Sequence, residues 1–106
     1  MPNLLSNLPD ATDGEVITAL LSRPGIRIER IVSLGQVTPI ETPYDQDEDE
    51  WVLLLAGQAD LWLEGSGTHR LDAGEHLFIP AHCRHRVTRT LPDAPTVWLA
   101  IYMGPQ

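Results

Sequence analysis

The sequence predicts an all-β barrel or sandwich, and three features of it point there. Eight glycines and nine prolines in 106 residues cut the chain into segments of strand length. Several of those segments alternate apolar and polar residues with period two, which is the pattern of a strand covered on one face. No stretch between them has the length and 3.6-residue period of a helix, so short strands at roughly ten-residue spacing remain.

The elements follow in order. Residues 1–14, with Pro9, Asp10, Asp13 and Gly14, read as an irregular arm, and the single domain expected after it covers 15–106. Glu15 to Ser22 reads as a strand rather than a helical turn. After the Arg23-Pro24-Gly25 turn, Ile26 and Ile28 alternate with Arg27 and Glu29, which marks a second strand. Gln36 to Pro43 holds prolines that interrupt pairing, and beyond the acid run Asp45–Glu50 the segment WVLLLA is apolar at every position, which predicts a strand buried on both faces. Gln58 to Glu64 and Thr68 to Leu71 flank Gly65-Ser66-Gly67 and form a hairpin. EHLFI, Cys83 to Thr90 and TVWLAIYM complete eight or nine strands.

Composition narrows the partners. Fifteen acids against seven bases give a net charge of -8, which repels nucleic acid and anionic membrane surfaces. All the bases are arginine, so lysine Schiff-base chemistry is excluded. A lone cysteine, Cys83, forms no internal disulfide, and no run of about 18 apolar residues or signal-like segment is present, so a cytoplasmic location is expected. Exposed edge strands in so small a barrel, together with an aliphatic N-terminal segment, favour a homodimer. Walker, dinucleotide and Ser-His-Asp signatures are missing from the sequence, as is the EF-hand spacing from the acid run.

Two spaced signatures stand out. Glu50 precedes Gly57 with six residues between them, and Gly74-EHLFI-Pro80-Ala81-His82-Cys83-Arg84-His85 follows. Here the chain resembles the cupin superfamily, whose first motif reads G-x(5)-H-x-H-x(3,4)-E-x(6)-G and whose second reads G-x(5)-P-x-G-x(2)-H-x(3)-N. In the second motif His82 replaces the usual glycine and Arg89 the asparagine. In the first, the two histidines are missing, and their places fall on Tyr44 and Gln46 or, with the longer spacer, on Pro43 and Asp45. The resemblance implies a jelly-roll barrel, and this family hosts many chemistries, so fold alone does not name the reaction.

Residue chemistry adds a site to that scaffold. Tyr44, Gln46, Glu48 and Glu50 share strand parity, as do His85 and Arg89. Glu50 and His85 are therefore expected in one lumen. With Gln46 as a weak third donor they are candidate ligands for Zn, Fe, Mn or Ni, with a metal-free lumen as the alternative. Tyr44, His82 and Arg89 are the further pocket candidates, with a structural ion pair as the other role of Arg89 and a positive φ as the other role of His82. His69, His76 and Cys83 are assigned to surface or packing. Two functions follow: a module binding a small polar molecule, or a metal-dependent oxygenase or isomerase of a small organic substrate.

Overall fold

The computed structural model describes residues 1–104, which hold eight strands and no helix. They are β1 (Val16–Arg23), β2 (Ile26–Ser33), β3 (Asp49–Ala56), β4 (Gln58–Leu63), β5 (Gly67–Asp72), β6 (His76–Ile79), β7 (His85–Thr90) and β8 (Thr96–Met103). The last two residues of the expected domain lie outside the described residues. A five-stranded sheet, ordered β1-β2-β8-β3-β6, faces a three-stranded sheet, ordered β5-β4-β7, and every pairing is antiparallel. The chain changes sheet at Gly57 and again at 73–75, 80–84 and 91–95, which closes the jelly roll.

Alternation along the strands builds the interior. Val52 and Leu54 of β3, Ala59, Leu61 and Leu63 of β4, Leu71, Ile79 and Trp98 form one buried cluster between the sheets. Burying a side chain such as Leu54, which is fully inaccessible, contributes roughly 1.5–3 kcal/mol. The expectation that β3 is buried on both faces is corrected, because Trp51, Leu53 and Leu55 are only half-buried while Val52 and Leu54 are buried. Trp51 rests against His76, with ring centroids 5.5 Å apart. An outer face covered partly by such neighbours still favours apolar residues, so the sequence loses its alternation without the strand becoming fully enclosed.

A smaller cluster of Ala11, Val32 and Val97, with Leu8, Val16 and Leu34 against it, lies on the outer face of the wide sheet. Val32 and Val97 are register partners there, and the Gln36 amide donates to the Ala11 carbonyl at 2.8 Å, tying the N-terminal segment over them. Gly57 sets the β3–β4 corner. Its φ is +86°, and a Cβ would fall 2.5 Å from Thr96 Oγ1 and 2.7 Å from Thr96 Cα, so the close crossing of β8 admits no side chain.

Candidate functional site

Three layers of side chains face the interior from β3 and β8. Leu54 pairs with Trp98, Val52 with Ala100, and Glu50 with Tyr102, so the interior passes from apolar to ionisable along the same two strands. The Glu50 end opens into a cavity of about 100 Å³. Its polar lining is Glu15, Tyr44, Gln46, Glu50, His85 and Tyr102, and its apolar wall is Ile17, Ile31, Val52, Leu61, Ile79, Val87 and Trp98.

Backbone pairing explains how β7 and the preceding loop deliver their groups. Tyr44 N donates to His85 O at 2.9 Å and His85 N returns a bond to Tyr44 O at 3.1 Å, which fixes the loop against the start of β7. The two rings consequently stack, with centroids 5.4 Å apart and planes 27° from parallel. His82 N donates to Gln46 O at 2.8 Å and places Gln46 beside Glu50, where its amide nitrogen donates to Glu50 Oε1 at 3.1 Å.

Glu50 and His85 face each other inside. His85 Nε2 lies 3.5 Å from Glu50 Oε1, and both side chains are less than a tenth exposed. His85 Nδ1 lies 2.9 Å from the Cys83 carbonyl, which can only accept, so Nδ1 carries a proton and Nε2 is the nitrogen presented to Glu50. Burial pulls the His85 pKa down, but the Glu50 hydrogen bond, the Cys83 carbonyl and the charges of Glu50 and Asp45 together lift it above its ordinary value. Burial raises the phenol of Tyr102, and the Glu50 charge adds to that; the same two causes, with Glu15, raise Tyr44.

The structure brings Glu50, His85, Gln46 and Tyr44 to one cavity and keeps two other expected pocket residues out of it. Arg89 is excluded by a bulge. Asp60 pairs with Arg89 but Leu61 pairs with Val87, so Thr88 is an extra residue that reverses the parity. Arg89 therefore turns away from the lumen and donates to Gln58 Oε1 at 2.8 Å, while Thr90 turns in. His82 has φ of +62°, the left-handed conformation expected where glycine is usual. Its exposed ring lies 3.2 Å from Asp45 and 3.8 Å from Asp47, outside the cavity. Glu48, which strand parity assigned to the same face as Glu50, leaves that face because the chain bends at 47 and 48, and it pairs with Arg27 at 2.9 Å instead.

Glu15, Ile17, Trp98 and Tyr102 line the cavity without having been singled out as pocket residues. The shared parity of Trp98, Ala100 and Tyr102 in TVWLAIYM was the available signal for β8. Nothing local marks Glu15, which enters the site only through the pairing of β1 with β2.

A divalent ion is the cofactor the fold family implies, and the donors here do not fit one. Among the described residues no three His, Cys, Asp or Glu side chains converge as a metal-binding group. Glu50 and His85 supply two strong donors, and Gln46 directs its nitrogen rather than its oxygen at Glu50.

A jelly roll with an open, partly ionisable lumen defines a class of small barrels that house their chemistry between the sheets. Within that class the chain belongs to the cupin family: the Cupin domain family matches residues 31–102. It is similar to a protein of Ralstonia eutropha JMP134 named as a candidate mannose-6-phosphate isomerase, at 41% identity over 97% of this chain and 96% of that one, with a TM-score of 0.92. A cupin superfamily protein of Desulfitobacterium hafniense DCB-2 shares the fold at 19% identity, over 97% and 90% of the two chains, with a TM-score of 0.80. The TT1209 protein of Thermus thermophilus does so at 17% identity, over 100% and 98%, with a TM-score of 0.82. No curated protein matches the chain.

Proposed function

We propose that this cupin binds a small polar molecule in its lumen, against Glu50 and His85. One observation carries the reading: an acid and an imidazole face each other at 3.5 Å beside an open cavity rather than in the sealed core. Desolvating such a pair costs several kcal/mol per ion on the order-of-magnitude scale, which packing alone would avoid by using apolar side chains. A thermal-shift screen of small polar compounds against the wild type, Glu50→Gln and His85→Asn tests this. Stabilisation that disappears in both variants is expected, and equal stabilisation of all three proteins would place binding elsewhere.

A second reading is an isomerase of a small organic substrate, supported by the same pair and by the name of the Ralstonia relative. With no donor set for a metal, the pair itself would take and return the proton. Deuterium entering the carbon next to the carbonyl of a small aldose or ketose in D2O is the diagnostic, and its absence across such compounds leaves the binding role.

We also propose a cytoplasmic homodimer of a 15–106 barrel domain over which the 1–14 arm packs through Leu8 and Ala11. β1 is an edge strand with exposed Ile17, Leu20 and Leu21, and Val16–Ser22 carries no charge in a chain of net charge -8, so two copies can approach there without repulsion. Light scattering at micromolar concentration should give twice the chain mass.

A further inference from the structure

We propose that the lumen selects a small organic cation, of the alkylammonium type, and rejects anions, phosphate esters among them. This deepens the lumen-binding reading and rests on it. The cavity lining contains two carboxylates, Glu15 and Glu50, one imidazole, and no arginine. With both carboxylates ionised, the lining keeps a net negative charge even when His85 is protonated. The arginines nearby are already engaged: Arg27 with Glu29 at 2.8 Å and Glu48 at 2.9 Å, and Arg84 with Asp45 at 4.0 Å. An incoming phosphate would meet carboxylates without a guanidinium to hold it, whereas recognition of phosphate ordinarily uses arginine forks or lysines.

Among the described residues neither lining carboxylate pairs with a guanidinium. Glu15 is exposed as a whole residue, but its carboxylate accepts the Ser33 hydroxyl at 3.0 Å in a part-buried position. Burial there leaves its pKa raised, as expected of a carboxylate short of positive partners. Aromatic rings add to the same preference. Tyr44, Trp98 and Tyr102 line the cavity, and the Arg27 guanidinium already sits 3.8 Å from the centroid of the Tyr102 ring. The chain's net charge of -8 would steer cations toward the mouth. This selectivity separates the lumen from that of an enzyme acting on a sugar phosphate, the substrate in the name of the Ralstonia relative.

The test compares tetramethylammonium, tert-butanol and inorganic phosphate, which are tetrahedral and similar in size but differ in charge. A cavity of about 100 Å³ suits probes of this kind, being smaller than the roughly 150 Å³ void that takes up benzene. Binding is followed by NMR shifts of the Tyr44, Tyr102 and Trp98 side chains. Tetramethylammonium should bind at least about tenfold more tightly than tert-butanol, a step of about 1.4 kcal/mol, and phosphate should leave these signals in place. Glu15→Gln and Glu50→Gln should each reduce the cation's advantage severalfold while leaving tert-butanol unchanged, and Glu15→Gln preserves the Glu50–His85 pair if the other variant folds poorly. Equal binding of tert-butanol and tetramethylammonium, or tightest binding of phosphate, would overturn the charge selection and leave lumen binding standing. Silence from all the probes would overturn both.

Discussion

Leu54 and Glu50 stand on the same strand and face the same interior, four residues apart, yet their surroundings are opposite. Leu54 is enclosed with Trp98 opposite and the β3–β4 corner next to it, whereas Glu50 meets His85, Gln46 and an open cavity. Strand parity decides which side chains point inward. Distance from the Gly57 corner decides what an inward side chain finds there. The closed end supplies the apolar burial that lets the open end keep an ionisable pair, and this division can be tested from each side.

The largest effect is expected at the corner. Gly57→Ala would place a methyl against Thr96 at a positive φ, adding about 1–3 kcal/mol of backbone strain to about 1–3 kcal/mol of overpacking. Urea unfolding should show a stability loss of about 2–6 kcal/mol. Leu54→Ala, a truncation deeper in the closed end, should cost about 2–5 kcal/mol by removing transfer energy and leaving a void. The unfolding midpoint should drop while the pH dependence of stability stays that of the wild type. An altered pH profile would mean that the two ends are coupled through the Val52 layer.

The open end should answer differently. The His85 pKa is raised in the folded state above its ordinary value of 6.5, so the unfolded chain loses that proton first as pH rises. The pair's contribution is therefore complete below about pH 6.5 and is lost as pH climbs through the raised folded value. Glu50→Gln should flatten this decline and cost about 1.5–3 kcal/mol at the acidic side of the window, the scale of a hydrogen bond to a charged group. Chemical denaturation across pH 6 to 9 reads both. A variant that kept the full decline would assign it to another group.

The same division explains what the sequence revealed. Period-two patterns and glycine and proline punctuation were enough for eight strands, because these are local consequences of strand geometry, while the cupin motif positions placed Glu50 and His85 and the left-handed backbone at His82. Arg89 and Glu48 were misplaced because a single bulge at Thr88 and a bend at 47 and 48 break parity, and neither leaves a residue type that marks it. The contribution of Glu15 was hidden for another reason. It depends on which strands pair, so only the closed sheet brings it to the cavity.

The smallest perturbation of the fold is also the one that turns the open end into something else. Gln46 is held beside Glu50 by its own amide and by the His82 backbone bond, so an imidazole at that position would stand next to the two donors already present. Gln46→His should leave the unfolding midpoint close to that of the wild type, since the residue is partly exposed and belongs to no strand. It should bind Zn or Ni at least about tenfold more tightly, one 1.4 kcal/mol step, because an imidazole nitrogen is a stronger donor for these ions than an amide. Binding should also release protons, since the metal competes with hydrogen for the imidazole nitrogens. Calorimetry in two buffers of different ionisation enthalpy measures affinity and proton release together. An isotherm identical to the wild type's would show that the geometry at position 46, rather than its donor atom, is what limits metal binding in this lumen.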